Sequence, residues 1–191
     1  LFKLVNRIIS DNQIASKKIT FFDAPISGGE VGAINGALSV MIGGGNKNIR
    51  IVRKLIKTFA KNIVHVGPNG HGQLTKMINQ ICIAGLLQGL SEALSFGSQQ
   101  KLNMDKVLDA ISHGAAHSWQ MENRAETMLN NKFNFGFAVD LMIKDLKIAL
   151  LEAKSLDLNL KVTKDVLNRY KKLSDDGYGN YDTSSLIKLL K

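Results

Sequence analysis

The chain has 191 residues, 45% hydrophobic and 21% charged, with a formal net charge of +9 at pH 7. That length supports one domain or two small ones with a real core, and the composition is that of a folded globular protein rather than a disordered or fibrous chain. The positive charge invites a nucleic-acid reading. Its lysines are scattered, however, with only short doublets such as Lys17-Lys18 and Lys171-Lys172 and no arginine-rich run, so no nucleic-acid partner is expected.

Leu4, Val5, Ile8, Ile9 and Ile14 recur at helical spacing and predict a helix over 2–15. The sequence opens without Met, in the middle of this pattern, and carries no small-residue cleavage site of a secretory signal, which points to a piece of a longer or processed chain. "ITFFDAP" (19–25) reads as a strand closed by Pro25, and "ALSVMIGG" (37–44) as a second strand bounded by glycines. "NKNIRIVRKLIKTFAK" (46–61) reads as a helix, with Asn46 as N-cap and Ile49, Val52, Leu55, Ile56 and Phe59 on one face. "NIVHVGP" (62–68) is a third strand.

After Pro68 the pattern becomes helical throughout. One helix is expected from Gln73 to about Gln100, ~40 Å long. It is apolar nearly all round and holds small residues at Ala84, Gly85, Gly89 and Ala93, a profile for burial between layers or against a partner chain. Asn79, Gln80, Gln88 and Glu92 interrupt it, so no membrane span is expected. Further helices follow in "NMDKVLDAISHG", with an asparagine cap, "SWQMENRAETMLN", "FAVDLMIKDLKIALLEAKSL", "KVTKDVLNRYKKLSDDG" and a closing "DTSSLIKLLK". The fold expected is a partial α/β Rossmann-type sheet over 1–67, followed by an all-α domain over 68–191 organised on the long central helix.

Three clusters carry chemistry. "GGEVG" after a strand resembles a dinucleotide loop, but the strand that follows ends in glycines with no acid to hold a ribose, so the motif fails. Turns needing positive φ account for Gly43 to Gly45. Ser27, Gly28 and Gly29 instead place a hydroxyl beside two bare amides at a strand's exit, an arrangement suited to a small carboxylate. In "GHGQLTKMINQ", Lys76, Asn79 and Gln80 stand at i, i+3 and i+4 on one helix face. Partial burial there would lower the lysine's pKa and suit it to proton transfer, while a side chain that snorkels to water is the structural alternative. In "FAVDLMIKDLKIAL", Lys144 and Asp145 interrupt an apolar face, and Asp140 is spaced for a surface ion pair with Lys144. His113 and His117 are spaced i, i+4 on a possible helix, but no third ligand is near and no metal is expected. Trp119 reads as a core or interface anchor. Cys82, the single cysteine, reads as a small buried hydrophobe; it excludes an internal disulfide and fits a reducing cytoplasm.

Taken together, "DAPISGGEVGAINGALSVMIGG", "GHGQLTKMINQ" and "FAVDLMIKDLKIA" resemble, in order and spacing, the motifs of the β-hydroxyacid dehydrogenases, the family of 3-hydroxyisobutyrate dehydrogenase and tartronate semialdehyde reductase. The resemblance runs from residue 19 to the end of the chain. It implies that Ser27, Gly28 and Gly29 hold a substrate carboxylate, that Lys76 is the general acid/base, and that Asn79 and Gln80 orient the substrate. Many relatives have asparagine at the position of Gln80. Phe137, Lys144 and Asp145 would close over the nicotinamide end of NAD or NADP. The family's glycine-rich pyrophosphate loop has no counterpart in these residues. The implied reaction interconverts a short 3-hydroxy acid and its semialdehyde, with tartronate semialdehyde reduction or a non-catalytic dimerisation module as alternatives. A homodimer through the α domain is implied as well.

Overall fold

The computed structural model describes residues 20–190; the helix expected over 2–15 lies outside them. By packing, the chain divides into two compact units after Asn79.

The first unit holds a three-stranded sheet in the order β1 (Ile26–Ser27), β2 (Leu38–Gly43), β3 (Ala60–Gly67). β1 runs antiparallel to β2, with Ile26 opposite Val40, and β2 runs parallel to β3, with Val40 opposite Ile63. A short helix, α1 (Gly29–Ile34), joins β1 to β2, and α2 (Ile49–Ile56) makes the crossover to β3 that a parallel pair requires. Leu38, Val40 and Ile42 alternate inward along β2 and pack with Ile56 and Ala60.

Several expectations shift here. The described part of "ITFFDAP", residues 20–25, is not a strand: it pairs through one isolated bridge, Asp23 with Gly43, and the strand proper is Ile26–Ser27. The helix α1 was not expected, because glycine-rich "GEVGAI" carries little helical propensity. Asn48, with φ 67°, occupies the N-cap position of α2 in place of Asn46, and the helix stops at Ile56, so that β3 starts two residues before "NIVHVGP".

The long helix α3 (His71–Gln99) starts in the first unit and continues into the second. In the second unit it buries Ala84, Leu87, Leu90 and Leu94. Around it stand α4 (Met104–Ser112), α5 (Trp119–Leu129), α6 (Val139–Ser155) and α7 (Lys161–Leu173). Asn103 and Ser118 cap α4 and α5 by accepting from the amides of Lys106 and Met121, each at 3.1 Å. Leu87 packs with Met142, Leu146, Val166 and Tyr170, and Leu90 and Leu94 pack with Met121, Ala125 and Met128. The closing segment is not α-helical: a π turn over Ser174–Tyr178 leads to a 3-10 helix over Thr183–Leu190 that buries Leu186 and Ile187. By length and composition α3 could cross a membrane, contrary to the expectation from its polar interruptions. Polar residues along it are bonded within the protein, however: buried Gln88 donates to Glu92, and the buried Ser91 hydroxyl to the Leu87 carbonyl.

Tyr170 is fully buried in this core and donates its hydroxyl to the Thr183 carbonyl at 3.1 Å. Burial, reinforced by the Asp182 carboxylate, raises its pKa well above that of an ordinary phenol. Above the unfolded value near pH 10 the unfolded chain loses that proton and the folded chain keeps it. Stability is therefore fully present below about pH 10 and falls by ~1.4 kcal/mol per unit above it. Tyr170→Phe should abolish this alkaline slope while costing about 1 kcal/mol at neutral pH, as read from urea unfolding at both pH values.

Candidate active site

The expected substrate grip and the expected general base belong to the same unit. Ser27 ends β1 half-buried, and Gly28 and Gly29 follow it, both exposed and with positive φ (123° and 62°). A Cβ at Gly28 would stand 3.2 Å from the Leu38 side chain, whereas one at Gly29 would meet nothing. Their backbone is thus bare to solvent immediately after the strand. Lys76 lies in the second turn of α3, half-buried, and Asn79 follows one turn later, also half-buried.

One carboxylate joins the two places. Asp23, 5% exposed, accepts from the Gly70 amide at 2.6 Å and from the Gln73 amide at 2.9 Å, capping the N-terminus of α3. Its own backbone exchanges hydrogen bonds with Gly43, at 3.0 and 2.7 Å, and Pro25 accepts from Met41 at 3.1 Å. The segment leading into Ser27 is therefore pinned both to β2 and to the turn that launches the lysine helix. The expectation of Asp23 as part of a strand missed this role, because its partners lie far along the chain.

The glycines at the end of β2 also need a different account. Gly43, Gly44 and Gly45 do not adopt positive φ. A Cβ at Gly43 would meet the Asp23 carboxylate and, at 2.7 Å, the Gly72 nitrogen; one at Gly44 would run into the Phe22 ring. At Gly72 a Cβ would collide with the Met41 carbonyl and stand 2.9 Å from that of Asp23. Gly43 and Gly72 permit close approach of backbones, and Gly44 makes room for the Phe22 ring, rather than any of them serving a turn conformation.

In the second unit Gln80 is buried, and its amide nitrogen donates to Asp145 at 2.7 Å. The neighbouring Lys144 stays mostly exposed with its ammonium 3.2 Å from the same carboxylate. Gln80 thus ties α3 to α6 at the Lys144-Asp145 pair. Asp140 serves a different partner from the one expected: it accepts from the Ser174 hydroxyl at 2.6 Å. Phe137 precedes α6 and is half-buried. His113 is the C-cap of α4 and His117 precedes the cap of α5, 3.8 Å from Glu122, so the two do not share a helix. Trp119 is exposed and stacks on Arg124. Cys82 is exposed, not buried.

A family model described as NAD-binding of NADP-dependent 3-hydroxyisobutyrate dehydrogenase matches residues 70–190, and one for the NAD binding domain of 6-phosphogluconate dehydrogenase matches residues 4–67. The chain belongs to the β-hydroxyacid dehydrogenase family. Both matched models describe NAD binding, which supports NAD or NADP as the cofactor. An uncharacterized oxidoreductase of Shewanella frigidimarina is 48% identical over 91% of the chain, which covers 60% of that relative. The 2-hydroxy-3-oxopropionate reductase of Escherichia coli is 39% identical over 90% of the chain and 59% of its own length. Among solved structures, a 3-hydroxyisobutyrate dehydrogenase from Mycobacterium tuberculosis matches with a TM-score of 0.86 at 26% identity, over 94% of this chain and 64% of that one. The chain therefore spans about 60% of the length of the curated relatives it matches.

Proposed function

We propose that the whole protein interconverts a short 3-hydroxy acid and its semialdehyde, using NAD or NADP, with Lys76 as general acid/base. The observation that carries this reading is the Asp23 cap, which ties the segment leading into Ser27 to the turn that begins the helix of Lys76. In this reading the bare amides after Ser27, with its hydroxyl, hold the substrate carboxylate. Lys76 takes the hydroxyl proton in oxidation and returns it in reduction, and Asn79, on the same helix face, orients the hydroxyl-bearing carbon. Gln80 acts more indirectly, by holding Asp145.

The cofactor, when bound, accepts or supplies the hydride. The donor set beside α6 fits its nicotinamide end: Phe137 offers an aromatic face, Lys144 an exposed ammonium, and Asp145 a carboxylate already oriented by Gln80. Residues 1–67 correspond to the later part of the nucleotide-binding domain and 68–191 to the all-α domain. The first turns of α3 then belong by sequence to the second and by packing to the first. The exposed stripe Cys82, Leu86, Gly89, Ala93 and Phe96 on α3 suits a homodimer contact, and the single cysteine suits a cytoplasmic setting.

The deciding experiment assays the protein, with any upstream reading frame included, against a panel of 3-hydroxy acids and their semialdehydes with both cofactors. Turnover of at least one short 3-hydroxy acid is expected, with loss when its carboxylate is replaced by an amide. Dimerisation without turnover of any member would instead favour an assembly module.

A further inference from the structure

Asp182 is 1% exposed, yet it carries a charge the fold uses on every side. Its Oδ2 accepts the Phe137 amide at 2.9 Å. Its Oδ1 accepts both the amide and the hydroxyl of Ser184, at 3.0 and 2.6 Å, and faces the Arg124 guanidinium at 3.3 Å. Backbone bonds continue the seam: Asp182 donates to the Phe133 carbonyl, Thr183 to that of Phe137, and Val139 to that of Tyr181, each at 2.9 Å. Arg124 is itself held between the rings of Trp119 and Phe135, 4.9 Å from each centroid. Gly136 has φ 76°, and a Cβ there would collide with the Asp182 carboxylate.

We propose that Asp182, braced by Arg124, is a positioning residue that fixes Phe137 for its contact with the nicotinamide cofactor. The loop 133–138 has no helix or strand of its own to hold it, and its shape is imposed by the closing segment of the chain. A buried carboxylate so fully satisfied permits one arrangement of that loop, whereas a neutral or displaced group permits several. The backbone that carries the ring is therefore fixed before the cofactor arrives, which reduces the ordering cost of binding. This inference rests on the proposed role of Phe137.

The test uses the protein with any upstream reading frame included and needs no activity for its first readout. Hydrogen exchange without cofactor should find the Phe137 amide as protected as the helical amides of α6; exchange at the rate of an open loop overturns the proposal. Gly136→Ala removes no bonding group but pushes the loop off Asp182. It should speed Phe137 exchange and raise the Kd for reduced cofactor about tenfold, with the KM for the hydroxy acid within about twofold. Asp182→Asn should act in the same direction. Faster exchange with an unchanged cofactor Kd would leave Asp182 a merely structural residue and overturn the proposal. Failure of the proposed reaction has a different sign: Lys76→Ala would retain turnover, while the effect of Gly136→Ala on cofactor Kd would stand.

Discussion

Lys76→Ala is expected to lower kcat by about 10²- to 10⁴-fold at saturating substrate, with cofactor affinity unchanged. Lys76 is half-buried, and it stands in the second turn of a helix whose first amides are locked by Asp23. Alanine keeps the helix and removes the only group there assigned to proton transfer. Lys76→Arg should fail to restore the rate, since a guanidinium does not give up its proton at accessible pH. Steady-state kinetics on the three proteins, with added primary amine as chemical rescue, read the effect. A kcat for Lys76→Ala within about threefold of the parent would end the acid/base assignment.

Asp23→Ala carries the largest expected effect on stability, about 2–4 kcal/mol. It leaves the Gly70 amide, and with it that of Gln73, without an acceptor, at ~1–3 kcal/mol for a buried donor, and it removes a helix cap. Water cannot readily replace the carboxylate, because Gly43 and Gly72 bring their backbones against it. Urea unfolding of the first unit's sheet should show the loss, with Asp23→Asn recovering part through its remaining carbonyl. If Asp23→Ala costs less than about 0.5 kcal/mol, the cap is not what holds the turn. The same variant should lower kcat more than it raises the KM for substrate. The grip at Ser27 to Gly29 stays on its strand while the lysine helix loses its fixed start.

The sequence made some of this legible and hid the rest for physical reasons. Local chemistry was readable: the Asn103 cap, β2 as a strand and the Ile49, Val52 and Ile56 side of α2 depend on residues within one turn or one strand of each other, although Leu55 and Phe59, expected on the same face, are exposed and Phe59 lies beyond the helix. The caps and bonds that matter at the site depend on partners dozens of positions away. Asp23 looks like punctuation before a proline until Gly70 and Gln73 are folded onto it. The β2 glycines were misread because a glycine in a sequence does not say whether it serves a positive φ or a crowded neighbour, and here the neighbour decides at Gly43 and Gly44. Gln80 was grouped with Lys76 and Asn79 by spacing alone. Burial separates it and commits its amide to Asp145. Asp182, in the closing "DTSSLIKLLK", was read only as the start of a helix.

The Asp23 cap reaches main-chain amides, and every amino acid except proline supplies one. A saturation library across this region should therefore accept widely varied side chains at position 73 and reject proline alone. At position 23 it should keep the acid, and at position 72 it should keep glycine. The molecule's demand at this corner is for bare polypeptide meeting one anion, so immunity to change and freedom to change sit side by side on the same turn.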